Sequence, residues 1–218
     1  MPKYKLVCFD VDGTLVDNVK FSWQVFHDYF QTDKHRREDA KKRFFNKEIT
    51  YLQWAEHDIN LWKEKNAKKQ DFLKAISHLK LMEGAVETLK ELKKRGLKLA
   101  VISGSLNIIL DALIPDCQEF FDDVFISKIY FDEEGNIKEM EATEFDMEAK
   151  ALALRKIAGR EKISLSECVF VGDYLNDMKI IQEAGLGIAF NCVHEELKKV
   201  ADVVVDKKDL REILKFIL

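Results

Sequence analysis

From Gly84 onward, short apolar runs alternate with segments of helical period, a pattern that admits few folds. Residues 85–95 read as a helix closed by Gly96. They are followed by a strand at 97–102 and a helix at 106–113. Residues 124–131 and 137–142 read as a hairpin, because the acidic, glycine-containing stretch 132–136 lies between them. Further elements are a helix at 147–158, a strand at 168–171, a helix at 175–184, strands at 186–190 and 203–205, and a closing helix at 210–218. Short buried strands between helices imply a parallel sheet covered on both faces, a three-layer α/β/α arrangement. In such sheets, sites form beyond the carboxyl ends of the strands.

The stretch before Gly84 differs. One strand is predicted at 4–10, and no glycine occurs between Gly13 and Gly84. Trp23, Phe26 and Phe30 recur at helical spacing, as do Leu52, Ala55, Ile59 and Trp62. Residues 18–80 are therefore expected to form a small cap of three or four helices, inserted into a core made of 1–17 and 81–218. A length of 218 residues, 47% hydrophobic, suits one core with such an insertion.

Composition narrows the function. A net charge of -4 argues against general nucleic-acid binding. No apolar stretch approaches the roughly 18 residues of a membrane span, and the N-terminus lacks a signal-peptide pattern. Cys8, Cys117, Cys168 and Cys192 show no C-x-x-C spacing, and Cys8 and Cys168 fall in strand-like runs. They read as small buried hydrophobes rather than disulfide or zinc ligands, which leads to an expectation of a reducing cytoplasm.

Two of the apolar strands run into acids. The first leads to Asp10-Val-Asp12-Gly13-Thr14, and the strand at 168–171 leads to Gly172-Asp173-Tyr-Leu-Asn176-Asp177. A lone aspartate here would read as a turn residue or N-cap. Clustered carboxylates at the ends of strands in one sheet repel one another, and a hard divalent cation is the natural compensation. Magnesium suits this because it takes few carboxylates, keeps waters and accepts a phosphate oxygen. Gly13 permits the chain to curl after Asp10.

A third strand ends in Ile102-Ser103-Gly104-Ser105. Ser105 is expected to cap the following helix, which leaves Ser103 as a hydroxyl at an anion-binding helix start. Lys150 shares a helix face with Met147, Leu154 and Ile157. Two readings apply: a stem lying along the apolar face, or an ammonium reaching into the acidic centre.

Taken in order, these four segments resemble the haloacid dehalogenase superfamily, and within it most closely the phosphoserine-phosphatase-like members. The stretches LMEGAVETLKELKKRGLKLAVISGS and GDYLNDM, and the tail DLREILKFIL, carry the closer likeness. The resemblance implies a Rossmann-like core and a phosphatase for a small phosphorylated metabolite, working through an aspartyl-phosphate as a monomer or homodimer. Asp10 would be the nucleophile and Asp12 the acid and base. Ser103, Gly104, Lys150 and Asn176 would bind the phosphoryl group, with Lys150 also catalytic. Asp10, the Asp12 carbonyl and Asp173 would hold Mg2+, and Asp177 would orient the lysine or a metal-bound water.

The chain departs from these relatives where they carry a cap glutamate for the substrate amine and a cap arginine for its carboxylate. Val19 and Asp58 fall at those places. Phosphoryl transfer to another acceptor, a phosphorylated amine as substrate, and a non-enzymatic binding module remain as alternatives. Trp23, Trp54, Trp62, Phe21, Phe26 and Tyr51 are expected mostly in the core of the cap rather than in a pocket. The seven Lys/Arg against two acids between Lys34 and Lys47 read by default as a solvated face.

Overall fold

Every residue of Leu6–Phe9, Cys168–Gly172 and Leu186–Phe190 is buried, which requires internal strands covered on both faces. The computed structural model, which describes residues 3–143 and 149–218, meets this requirement. Its strands are β1 (Leu6–Phe9), β2 (Val16–Asp17), β3 (Lys80–Leu81), β4 (Lys98–Leu106), β5 (Asp123–Phe131), β6 (Ile137–Glu141), β7 (Cys168–Gly172), β8 (Leu186–Phe190) and β9 (Val203–Val205). Its helices are α1 (Ser22–Phe30), α2 (Lys34–Phe45), α3 (Tyr51–Glu64), α4 (Lys69–Ala75), α5 (Ala85–Lys94), α6 (Asn107–Leu113), α7 (Cys117–Phe120), α8 (Lys150–Glu161), α9 (Met178–Glu183), α10 (Glu195–Val200) and α11 (Leu214–Ile217).

The main sheet runs β6-β5-β4-β1-β7-β8-β9. All its pairs are parallel except β5–β6, the expected hairpin. Asp132 shapes the hairpin turn by accepting from the backbone N–H groups of Glu134 and Asn136 at 3.0 and 2.8 Å. Alternate residues of each strand face opposite layers, as the two-residue period requires. Val7, Phe9, Leu99 and Val101 pack with Leu89 and Leu92 of α5 and Ile109 of α6. Leu6, Cys8, Ala100 and Phe170 pack instead with Leu154 and Ile157 of α8 and Ile180 of α9. The fold is thus the expected three-layer α/β/α core.

Helices α1 to α4 lie between β2 and β3, and those two strands pair antiparallel at their base. Asp33 starts α2 by accepting from His35 N–H and Arg36 N–H. A reciprocal capping box of Thr50 and Gln53 starts α3. Phe26, Ile59, Trp62 and Phe72 of these helices belong to the same apolar cluster as Val7 and Phe9.

Some boundaries differ from expectation. β4 continues to Leu106 because it keeps pairing with β5 as far as Leu106–Ser127. The predicted helix at 147–158 has its described part in α8, which begins at Lys150; Met147 lies outside the described residues. The segment 175–184 opens as a tighter 3-10 turn, Leu175–Asp177, before α9.

Candidate active site

Phe9 pairs with Val101 on one side and Val171 on the other, so the chain segments beyond these three residues converge at one end of the sheet. Asp10 leaves β1 with its N–H still donating to the Val171 carbonyl at 3.0 Å. Asp173 comes directly after β7, and Asp177 ends the turn beyond it. Lys150 enters from the opposite layer, as the first residue of α8, and is only 1% exposed. Its Nζ donates to Asp177 Oδ1 at 2.8 Å and lies 3.1 Å from Asp10 Oδ1. The buried-stem reading is therefore incomplete: the ammonium itself sits among the acids.

One carboxylate oxygen each of Asp10, Asp173 and Asp177 lies within 4.8 Å of the others. Three carboxylates against one ammonium leave surplus negative charge in a buried space. Burial, followed by the charge of Asp10, pushes Asp173 up to about 9. Burial also raises Asp177, against the pull of Lys150. Asp10 Oδ1 accepts no hydrogen bond, since its contact with Lys150 lacks hydrogen-bond alignment. Gly13, at φ +77°, brings the loop so close that a Cβ there would stand 2.2 Å from Asp173 Oδ2. An oxygen-only donor set, an unsatisfied buried carboxylate oxygen and excess charge fit a divalent cation.

The Asp12 carboxylate lies outside this three-acid group. Its Oδ2 accepts from the Ser22 N–H at 2.6 Å, and its Oδ1 accepts from the Ser105 hydroxyl at 2.8 Å. Burial, then repulsion by Asp10, raises it to about 6. Ser105 therefore does not cap α6 as expected. That helix has no side-chain cap, because Ser105 is still in β4 and its hydroxyl turns to Asp12. Ser103 Oγ accepts from the Ser105 N–H at 3.1 Å. The Gly104 carbonyl accepts from Trp23 Nε1 at 2.9 Å. Thr14 Oγ1 donates to Asp173 Oδ1 at a long 3.4 Å. Asn176 Oδ1 is buried with no hydrogen-bond partner.

Asp10, Asp12, Ser103, Gly104, Asp173 and Asn176 line a cavity of about 550 Å³ between the sheet end and the inserted helices, a size usual for small-molecule sites. Phe21, Trp23, Tyr51 and Trp54 line it too. Only Phe26 and Trp62 of the six singled-out aromatics are fully buried, which corrects the expectation that most would be core. Val19 is buried in the apolar cluster and does not reach the cavity, whereas Asp58 does. Phe21 closes edge-on against Tyr174, with ring centroids 4.7 Å apart, and so joins insertion to core.

Among the groups at or beside the site that the sequence did not single out are Ser105, Arg37 and Ser22. Ser105 adjoins the hydroxyl motif and had a competing capping role. Ser22 contributes through its backbone N–H, which no side-chain pattern marks. Arg37 is one of seven basic residues in its stretch.

A sheet of this topology, with acids beyond β1 and β7, a hydroxyl near the end of β4 and a buried lysine, defines a phosphoryl-transfer type of α/β hydrolase. The family model for haloacid dehalogenase-like hydrolases matches residues 4–185, and the chain belongs to that family. It is 34% identical over 218 residues to a phosphoserine phosphatase of Methanocaldococcus jannaschii, covering 99% of this chain and 98% of that protein. A phosphoserine phosphatase of Archaeoglobus fulgidus is 31% identical over 208 residues, which is 94% of this chain and 58% of that one. A substrate-bound phosphoserine phosphatase structure superposes over 100% of both chains, with a TM-score of 0.77 and 32% identity. A phospho-aspartyl intermediate analogue of a phosphoserine phosphatase does so over 99% of both, at 0.75 and 33%.

Proposed function

We propose that the chain is a phosphoric monoester hydrolase that cleaves a small phosphomonoester through a phosphorylated Asp10. The observation that carries this reading is the pairing of a buried Asp10–Lys150 contact with a separate, raised acid, Asp12, on the wall of one cavity. Asp10 attacks phosphorus, forming an Asp10–phosphorus bond as the ester oxygen leaves. Asp12, held near neutrality by burial, passes its proton to that leaving alkoxide. The Asp12 carboxylate then takes a proton from water, whose oxygen attacks the same phosphorus. The Asp10–phosphorus bond breaks and orthophosphate is released.

Lys150 offsets charge on the phosphoryl oxygens while Asp177 holds it in place. Ser103, the Gly104 segment and Asn176 line the space where those oxygens would sit. Asp10, the Asp12 carbonyl and Asp173 would hold Mg2+, with Asp177 behind them, and the ion would supply further neutralisation of developing charge. Residues 18–80 serve as a cap over the site. Asp58 lines the cavity, where its Oδ2 faces His27 and Arg37 and its Oδ1 is buried without a hydrogen-bond partner.

The test is magnesium-dependent phosphate release from a panel of phosphometabolites, run beside Asp10→Asn. Activity that falls by at least about 10³-fold in the variant is expected for loss of a nucleophile. Turnover that survives the substitution would remove Asp10 from the mechanism.

A further inference from the structure

Asp12 receives a hydrogen on each of its carboxylate oxygens, one from the core and one from the inserted helices. Ser105, near the end of β4, donates its hydroxyl to Asp12 Oδ1 at 2.8 Å. Ser22, the first residue of α1, donates its backbone N–H to Oδ2 at 2.6 Å. The two serine hydroxyls meet each other at 3.1 Å. Both serines are buried, so neither hydroxyl is an ordinary solvated group. Nor does Ser105 serve the helix that follows it, since α6 has no side-chain cap.

The direction of this chain follows from what each group can give. A serine hydroxyl has one hydrogen, and an ionised aspartate can only accept. Ser105 directs its hydrogen to Asp12, so the hydrogen between the two serines is that of Ser22. Ser105 is fixed from a second side by its own N–H, which donates to Ser103 Oγ at 3.1 Å. The last torsion of an aspartate is broad and roughly two-fold when nothing holds it. Here a donor on each oxygen sets that rotation. A backbone N–H cannot take a proton, and the Ser105 oxygen already faces the Ser22 hydroxyl. Each carboxylate oxygen keeps a second acceptor direction, and a proton carried there is left for a group in the cavity.

We propose that Ser105 is a positioning residue for departure of the leaving group: its hydroxyl, backed by that of Ser22, fixes the rotation of the Asp12 carboxylate so that the proton of Asp12 faces the ester oxygen. The proposal rests on the phosphatase reading above. The need for that proton grows with the basicity of the departing oxygen. Nitrophenolate departs without it, whereas phenolate departs poorly as an anion. A misplaced Asp12 therefore gives a loss graded by leaving group, while damage to folding or to phosphate binding falls on all esters alike.

The experiment measures kcat/KM with Mg2+ for p-nitrophenyl phosphate and phenyl phosphate, two esters of nearly the same shape. The proteins are the wild type, Ser105→Ala, Ser105→Thr, Ser22→Ala and Asp12→Asn. Ser105→Ala is expected to lower the value for phenyl phosphate by about 10- to 100-fold more than that for p-nitrophenyl phosphate, the size of one hydrogen bond to a charged group. Ser105→Thr keeps the hydroxyl and should restore most of that ratio. Ser22→Ala keeps the backbone N–H and should shift the ratio the same way by less. Asp12→Asn should shift it at least as far as Ser105→Ala. On the panel metabolite that the wild type turns over fastest, Ser105→Ala should lower kcat with KM nearly constant.

An equal fall for both aryl esters in Ser105→Ala, or no fall, would overturn the proposal and leave the phosphatase reading standing. So would a rise in KM with kcat unchanged on the metabolite. If the melting curve of Ser105→Ala shows an unfolded protein, Ser22→Ala decides, and a wild-type ratio there would overturn the proposal. Asp12→Asn with the wild-type ratio would remove Asp12 as the acid and Ser105 with it. A wild type that hydrolyses no ester of the panel, aryl or metabolite, would overturn the phosphatase reading and this proposal together.

Discussion

At the scale of single residues the site is governed by crowded negative charge. Asp173 has an ordinary value of 3.8 and is raised to about 9 in the folded chain. A carboxyl shifted upward binds its proton more tightly when folded. The stability it contributes is full below 3.8 and is lost as pH rises toward about 9. A divalent cation bound among Asp10, Asp173 and Asp177 removes that penalty by favouring the ionised form. The rise in Tm on adding Mg2+ is therefore expected to be larger at about pH 9 than at about pH 6. Thermal melts with and without the ion at both pH values check this. An equal rise at both would mean the ion binds elsewhere.

At the scale of elements, the inserted helices depend on their ends as much as on their faces. The start of α3 is exposed, and its capping box satisfies two otherwise free N–H groups: Gln53 N–H bonds Thr50 Oγ1 at 3.2 Å, and Thr50 N–H bonds Gln53 Oε1 at 2.8 Å. Thr50→Ala is expected to cost about 1 kcal/mol, measured by urea unfolding. Because Trp54, in the first turns of α3, lines the cavity, KM should rise along with the loss of stability. The start of α1 is tied differently. Asp12 accepts from the Ser22 N–H, so the helix entry is fastened to the acid proposed to serve the leaving group.

At the scale of the whole molecule, insertion and core share one apolar cluster. Trp62 is fully buried and packs against Trp23, Phe26 and Phe72, and Phe72 reaches Phe131 of β5 with centroids 5.5 Å apart. Unfolding is therefore expected to be a single cooperative transition rather than a cap melting first. Trp62→Ala should lower the stability of the whole molecule by about 3–5 kcal/mol. Calorimetry checks both, and a separate low-temperature transition would show that the cap unfolds alone.

Most of the strands and helices after Gly84, the parallel sheet and the acids beyond its strand ends were legible in the chain, whereas the β2–β3 pair, α7 and α10 were not. Strand burial and helix period are local properties written in consecutive residues, and β1 and β7 could be read from four or five apolar positions followed by aspartate. The end of β4 was not legible, because whether Ser105 caps a helix or continues a strand depends on whether β5 lies beside it. Nor was the state of Asp58, whose carboxylate is a free pocket acid or a spent one according to where His27 and Arg37, 31 and 21 positions earlier in the chain, are brought by α1 and α2. The residue types and their order determine which chemistry the chain can perform. Which charges remain free to meet a substrate is decided only when distant helices pack, because electrostatic partnership depends on distance in space and not along the chain.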